Sequence, residues 1–168
     1  IYQVHWPDAS VPFEETARTL EALRREGKIR AIGVSNFSPE QMDRFKKGAP
    51  LAAIQPPYNL FEREIEKDVL PYAERDGLVV LAYGALCRGL LSGRMRAETK
   101  FEGDDLRRTD PKFQQPRFAQ YLAAVERLAP DDRALARDAA FALQLFRQGT
   151  GAQFRPDGAG TQLGMGEI

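Results

Sequence analysis

Residues 27–37 read GKIRAIGVSNF, and this stretch decides the fold class. Its glycine ends a preceding helix, its apolar run predicts a strand over 29–34, and Ser35 and Asn36 follow where that strand ends. An apolar strand that is preceded by a helix and followed by polar side chains is typical of parallel β-α-β chains. The neighbouring sequence should therefore supply matching helices and strands on both sides.

The same alternation continues in both directions along the chain. Apolar runs predict three further strands, over 1–5, 51–54 and 78–83. Helical periodicity, N-terminal caps and terminal glycines predict three helices, over 13–26, 38–48 and 66–76. The charges at 62–67 are interpreted as the solvated start of the third helix. The spacing predicts parallel βαβ units in a sheet that is covered on both faces.

Two architectures fit such units, a doubly wound sheet and a (β/α)8 TIM barrel. No Gly-x-Gly-x-x-Gly follows any strand, so the dinucleotide fingerprint of the doubly wound class is missing. The strands instead end in polar or functional side chains: His5, Ser35 with Asn36, Gln55 and Tyr83. Since barrel enzymes place their site at this end of the strands, the pattern predicts an α/β partial barrel of about four βα units plus C-terminal helices.

Composition narrows the class of protein. The chain has 168 residues, and 24 Lys and Arg balance 24 Asp and Glu, which argues against nucleic acid as a main partner. Neither a membrane-spanning run nor a signal-peptide pattern is found, so we expect a cytoplasmic protein without a membrane partner. The single cysteine, Cys87, excludes a disulfide framework, and we expect a buried thiol and no metal site. The oligomeric state stays open.

The sequence after Gly93 is less regular. Residues 94–115 are predicted to be a long connection of the kind that covers a site and does not fill a core. A helix is predicted over 116–128, and Asp131 or Asp132 could cap another. The domain prediction is a partial barrel at 1–136 and a divergent, disordered tail at 137–168.

Taken singly, the polar strand ends also have ordinary explanations. His5, the only histidine, could orient a bound carbonyl or be a core histidine bonded to backbone. Ser35, Asn36 and Gln55 suit a planar carboxamide, although Ser and Asn also serve in caps and turns. Tyr83 could stack on a heterocycle while the glycine-punctuated loop after it holds phosphate, or the segment could be a plain loop.

Taken together, four strings occur in order, each at a strand end: YQVHWPD at 2–8, GKIRAIGVSNF at 27–37, QPPYNL at 55–60 and AYGAL at 82–86. They resemble the aldo-keto reductase family over about residues 1–128, and the second string is highly specific to it. The Tyr58-Asn59 and Glu62-Arg63 pattern is most similar to the branch that also contains potassium-channel β subunits.

The resemblance implies a (β/α)8 barrel that binds NADP(H) without a Rossmann fold and reduces small aldehydes or ketones by hydride transfer. By likeness to the family motifs, His5 matches the substrate-orienting histidine of the catalytic tetrad. Ser35, Asn36 and Gln55 match the residues that hydrogen-bond the nicotinamide carboxamide, and Tyr83 matches the ring on which nicotinamide stacks.

The resemblance also implies a pyrophosphate contact in the loop that follows. Gly84, Leu86 and Arg88 lie at the family's contact positions. Gly84 replaces a common serine, so only its backbone could contribute. Arg88 could give phosphate a charge-assisted hydrogen bond or face solvent.

The sequence departs from the family pattern at two places. The tetrad's Asp, Tyr and Lys come from earlier strands and are not among these residues, so we expect no catalysis by this chain alone. The family's segment for the 2′-phosphate is not recognisable after about Ala136, so NADP(H) over NAD(H) rests on likeness. Two alternatives stay open: a non-catalytic NADP(H)-binding or interaction module, and a non-functional fragment.

Overall fold

The computed structural model describes residues 1–128. Four parallel strands form one sheet in chain order: β1 (Tyr2–Val4), β2 (Ile32–Ser35), β3 (Ala53–Gln55) and β4 (Val79–Val80). Val34 pairs with Val4 on one side and with Ile54 on the other, and Ile54 pairs with Val80. The prediction of four parallel strands is confirmed, although each strand is shorter than the apolar run that predicted it.

Helices follow the strands as the periodicity predicted. They are α1 (Phe13–Arg25), α2 (Pro39–Lys46), α3 (Val69–Arg75) and α4 (Arg117–Leu128). The capping box is confirmed, because the Ser38 hydroxyl accepts from the Gln41 amide at 3.3 Å and the Gln41 side chain accepts from the Ser38 amide at 2.9 Å. The third helix begins later than predicted, at Val69, whose amide donates to the Asp68 carboxylate.

The main core lies between the sheet and the first three helices. Ile32, Val34 and Ile54 point from the sheet into it and meet Met42 and Phe45 of α2, all of them fully buried. Since side chains alternate along a strand, the opposite face of the sheet carries Gly33 and Ala53 and ends in the polar residues described below. One face of the sheet therefore packs against the helices, and the opposite face leads to the polar strand ends.

A second apolar cluster forms beyond the sheet and corrects one prediction. Residues 94–115 were expected to fill no core, yet Phe113 is only 6% exposed and packs with Leu90, Leu91 and Phe118. The ring centroid of Phe101 lies 5.2 Å from that of Phe113. These aromatic residues stand singly among charged ones, so no periodicity revealed their burial.

The described residues end at 128. The predicted cap at Asp131 or Asp132 and the predicted tail at 137–168 lie outside the described residues. Within residues 1–128, no helix has the length and apolar character that crossing a membrane requires. The Cys87 side chain is buried, as expected.

Candidate active site

The carboxyl ends of the four strands meet at one edge of the sheet. His5 follows β1, Ser35 ends β2 and is followed by Asn36, Gln55 ends β3, and Tyr83 lies three residues beyond β4. The backbone of Tyr83 is fixed on both sides, since its amide donates to the Pro56 carbonyl and its carbonyl accepts from the Tyr58 amide, each at 3.0 Å. All five side chains predicted for one site therefore share this edge.

Asn36 is the centre of the hydrogen bonds that join these strand ends. Its Nδ2 donates to the His5 carbonyl and to Ser35 Oγ, both at 3.0 Å, and its Oδ1 accepts from the Tyr83 hydroxyl at 2.8 Å. Ser35 Oγ in turn donates to the Gln55 carbonyl at 2.7 Å. Asn36 has a φ of +63°, a left-handed conformation that Asn tolerates better than most residues. The Asn36 side chain thus contacts three strand ends directly, and Ser35 connects it to the fourth, at Gln55.

The members of this network differ in what they can offer a ligand. Ser35 is 2% exposed, and its hydroxyl already donates one hydrogen bond and accepts another, so it supports Asn36. The Gln55 side chain is half-buried, and its amide has no hydrogen-bond partner within residues 1–128. His5 is exposed at the edge, with its ring centroid 6.1 Å from that of Trp6. Gln55 and His5 are therefore available for direct contact.

Tyr83 presents an aromatic ring at the same edge. The residue is 39% exposed, while its hydroxyl is anchored on Asn36. A phenol is protonated at neutral pH, and burial raises the pKa of Tyr83 further above its ordinary value, so its hydroxyl can donate to Asn36. The ring is thus held in a fixed orientation and can stack on a planar group.

The loop after Tyr83 turns sharply and exposes backbone donors. Gly84, Cys87, Arg88 and Gly89 all have positive φ, between 47° and 89°. The amides of the two intervening residues, at 85 and 86, have no hydrogen-bond partner in the described part of the chain, and both residues are exposed. Exposed and unpaired amides in a tight loop are suited to anion binding.

Arg88 lies at the end of this loop and is half-exposed. Its Nε is 3.6 Å from the Asp110 carboxylate, which is a long separation for an ion pair. Its side chain also borders an open cleft of about 330 Å³ that is lined in addition by Asp105, Leu106 and Arg107. Arg107 forms an ion pair with Asp105, whose carboxylate oxygen lies 2.5 Å from the Arg107 guanidinium nitrogen. Arg88 is the less constrained of these two cations.

A polar cluster of Asn59, Glu62 and Lys112, which sequence patterns did not indicate, adjoins the start of the loop at Gly84. The sequence predicts Glu62 to lie at a solvated helix start, but its carboxylate accepts from Asn59 Nδ2 at 2.5 Å and pairs with Lys112 Nζ at 2.8 Å. The turn at Asn59 could have been found, because an Asn side chain that accepts from the amides two and three residues on is a common motif. The partner at Lys112 is 50 residues away and has no local signal.

Comparisons with known proteins bear on the identity of this arrangement. A family model described as the aldo/keto reductase family matches residues 1–140. The aldo-keto reductase YhdN of Bacillus subtilis is 65% identical over 128 residues, which cover 76% of this chain and 39% of that protein. The NADH-specific methylglyoxal reductase of Escherichia coli is 38% identical over 96 residues, or 55% of this chain and 29% of that protein.

Solved structures agree with this assignment. The structure of a glycerol dehydrogenase from Gluconobacter oxydans superimposes with a TM-score of 0.76 at 58% identity, covering 85% of this chain and 45% of that one. The chain spans between 29% and 39% of the length of the curated relatives it matches, 39% in the case of YhdN. The predicted partial (β/α)8 barrel and the predicted family are both confirmed. The chain belongs to the aldo/keto reductase family.

Proposed function

We propose that this chain forms the nicotinamide-binding side of an NADP(H)-dependent reductase of small aldehydes or ketones. One observation carries the proposal: hydrogen bonds centred on Asn36 join four strand ends and hold the exposed Tyr83 ring at the edge that also carries the Gln55 side chain, whose amide has no partner among the described residues. A planar ring that carries a carboxamide matches this combination of a stacking surface and neighbouring amide groups. Membership of the family supports the same ligand.

The carboxamide has suitable partners at this edge. The Gln55 amide can both donate and accept, and Asn36 Oδ1 keeps a second lone pair after accepting from Tyr83. Ser35 keeps one lone pair, although its main contribution is to orient Asn36. When bound here, NADPH supplies the hydride, and the residues of this chain hold its ring against Tyr83 and prevent it from turning.

The phosphates of the cofactor would lie along the next loop. Ala85 and Leu86 offer backbone amides that have no partner within residues 1–128, Gly84 contributes backbone only, and Arg88 offers a half-exposed guanidinium. Backbone amides and an arginine together form charge-assisted hydrogen bonds with pyrophosphate oxygens. Because these groups suit a pyrophosphate, we propose that the ligand is a dinucleotide and not nicotinamide alone.

His5 is proposed to orient the substrate. It is exposed beside Asn36, which holds the His5 carbonyl, and an imidazole N–H can donate to a carbonyl oxygen. Neither tyrosine near this edge offers a free phenol as the general acid, because the Tyr58 hydroxyl donates to Glu66 at 2.7 Å and the Tyr83 hydroxyl donates to Asn36 at 2.8 Å. We therefore propose that hydride transfer needs residues beyond those of this chain, and that the chain alone binds without turnover.

Three finer statements stay predictions. The E. coli relative is named as NADH-specific, so the preference for NADP(H) over NAD(H) is proposed on the family resemblance and not on a phosphate contact in this structure. The similarity to the potassium-channel branch and the cytoplasmic location are likewise predictions.

Replacing Gln55 with alanine tests the proposed carboxamide site. Removing its side-chain amide should weaken NADPH binding about tenfold, since tenfold corresponds to about 1.4 kcal/mol, the scale of one or two hydrogen bonds of about 1 kcal/mol each. The measurement is a titration that follows NADPH fluorescence and quenching of Trp6. A matched control is Gln120→Ala on the exposed face of α4, which should bind like the unmodified chain. Equal affinity of the two variants would refute the Gln55 assignment, and absence of NADPH binding by the unmodified chain would refute the proposed function.

A further inference from the structure

Asn59 holds the start of the loop that follows Tyr83 through a side-chain hydrogen bond. Asn59 is 8% exposed, and its Nδ2 donates to the Gly84 carbonyl at 3.0 Å as well as to Glu62. Its Oδ1 accepts from the amides of Phe61 and Glu62, so both ends of the side-chain amide have defined partners. The position of Gly84, the first residue of the loop, therefore depends on how Glu62 holds Asn59.

Lys112 connects this attachment to the other end of the loop. Its ammonium lies 2.8 Å from the Glu62 carboxylate and 3.2 Å from that of Asp110, and Asp110 faces Arg88. Burial lowers the pKa of Lys112, but its hydrogen bonds with Glu62 and Asp110 outweigh burial and raise the pKa overall. The ammonium is thus charged at neutral pH and links the two ends of the loop.

The charges in this cluster cancel. Two carboxylates, Glu62 and Asp110, are matched by Lys112 and Arg88. Cys87 Sγ lies 4.0 Å from Glu62, and burial with the nearby carboxylate raises the pKa of this thiol to about 11, so it adds no negative charge. Loss of the Lys112 charge would leave a surplus carboxylate directly below a loop that has to accept phosphate.

We propose that Lys112 is a positioning residue for dinucleotide binding. Its charge neutralises Glu62, and Glu62 orients Asn59, which holds Gly84. Lys112 also pairs with Asp110, so Asp110 holds Arg88 less tightly and the Arg88 guanidinium is free to turn toward a phosphate. The inference rests on the proposed function, because it assigns Lys112 to the same loop without placing it in contact with the cofactor. It extends the site to a segment that is remote in sequence.

The test compares NADPH dissociation constants of the unmodified chain and of its variants. Lys112→Met should raise the Kd about tenfold, the scale expected for a mostly buried ion pair that remains partly screened by solvent. Lys112→Arg should keep the Kd within about threefold, since it retains the charge. The control is Lys100→Met, at an exposed lysine that makes no ion pair within residues 1–128, and its Kd should not change.

A double variant separates positioning from a general loss of structure. Adding Glu62→Gln to Lys112→Met removes the surplus carboxylate while keeping an oxygen that accepts from Asn59, so NADPH binding should partly recover. Binding by Lys112→Met that equals the unmodified chain would overturn the proposal, and so would a double variant that binds no better than Lys112→Met. Failure of the unmodified chain to bind NADPH would instead contradict the proposed function.

Discussion

Replacing Tyr83 with alanine is expected to raise the Kd for NADPH about 30-fold. The ring is the exposed stacking surface of the site, and loss of stacking on an aromatic side chain removes about 2 kcal/mol, which corresponds to that factor. The substitution should change the stability of the chain much less, because the residue is 39% exposed and its hydroxyl makes one hydrogen bond within the described residues, to Asn36. NADPH fluorescence gives the affinity and thermal unfolding gives the stability.

Tyr83→Phe is the matched control. It keeps the ring and removes the hydroxyl that donates to Asn36 Oδ1, so the Kd should rise only about threefold, as for one weakened neutral hydrogen bond. If Tyr83→Phe were as damaging as Tyr83→Ala, the hydroxyl and not the ring would be the group that binds. If neither variant changed the Kd, Tyr83 would not be part of the cofactor site.

Replacing Gly48 with alanine is expected to destabilise the chain by about 3 kcal/mol, near the upper end for overpacking a close contact. A Cβ at this position would lie 2.8 Å from the Ala17 Cβ and closer still to the Glu14 carbonyl oxygen, both of them in α1. Neither atom is the end of a flexible side chain, so the two helices would have to separate. Urea unfolding followed by far-ultraviolet circular dichroism measures the change.

Gly27→Ala is the control for this substitution. Gly27 also follows a helix, but its φ is +74° and nothing lies within 4 Å of a Cβ placed there. The added methyl group should therefore cost only the backbone strain of a left-handed residue, about 1 kcal/mol. A Gly48→Ala variant no less stable than Gly27→Ala would show that α1 and α2 do not approach as closely as described.

Much of the fold follows from local sequence, and Gly48 illustrates the limit. The glycine predicted the end of α2 at nearly the right position, because Lys46 is its last residue. Gly48 is required for a different reason from a helix-ending glycine with positive φ, because any side chain at this position would prevent the close approach to α1. Local patterns thus locate an element's end, while the partner that requires it lies about 30 residues away and leaves no periodic signal.

The candidate site likewise contains residues that the sequence predicts and contacts that it does not predict. Residues that end strands, such as Asn36 and Tyr83, could be predicted because parallel strands bring their carboxyl ends to one edge. The hydrogen bond between those two side chains joins residues 47 apart and could not be predicted. Glu62 was misassigned for the same reason, since only the folded chain brings Lys112 to it.

The most direct test of the cofactor site is a nuclear Overhauser measurement on the chain saturated with NADPH and labelled in its tyrosine rings. Tyr83 is identified by the signals that disappear in Tyr83→Phe. We expect cross-relaxation between the Tyr83 ring protons and the nicotinamide ring protons, as for stacked rings less than about 5 Å apart. Saturable binding in which the nicotinamide protons contact a different tyrosine, or none, would contradict it.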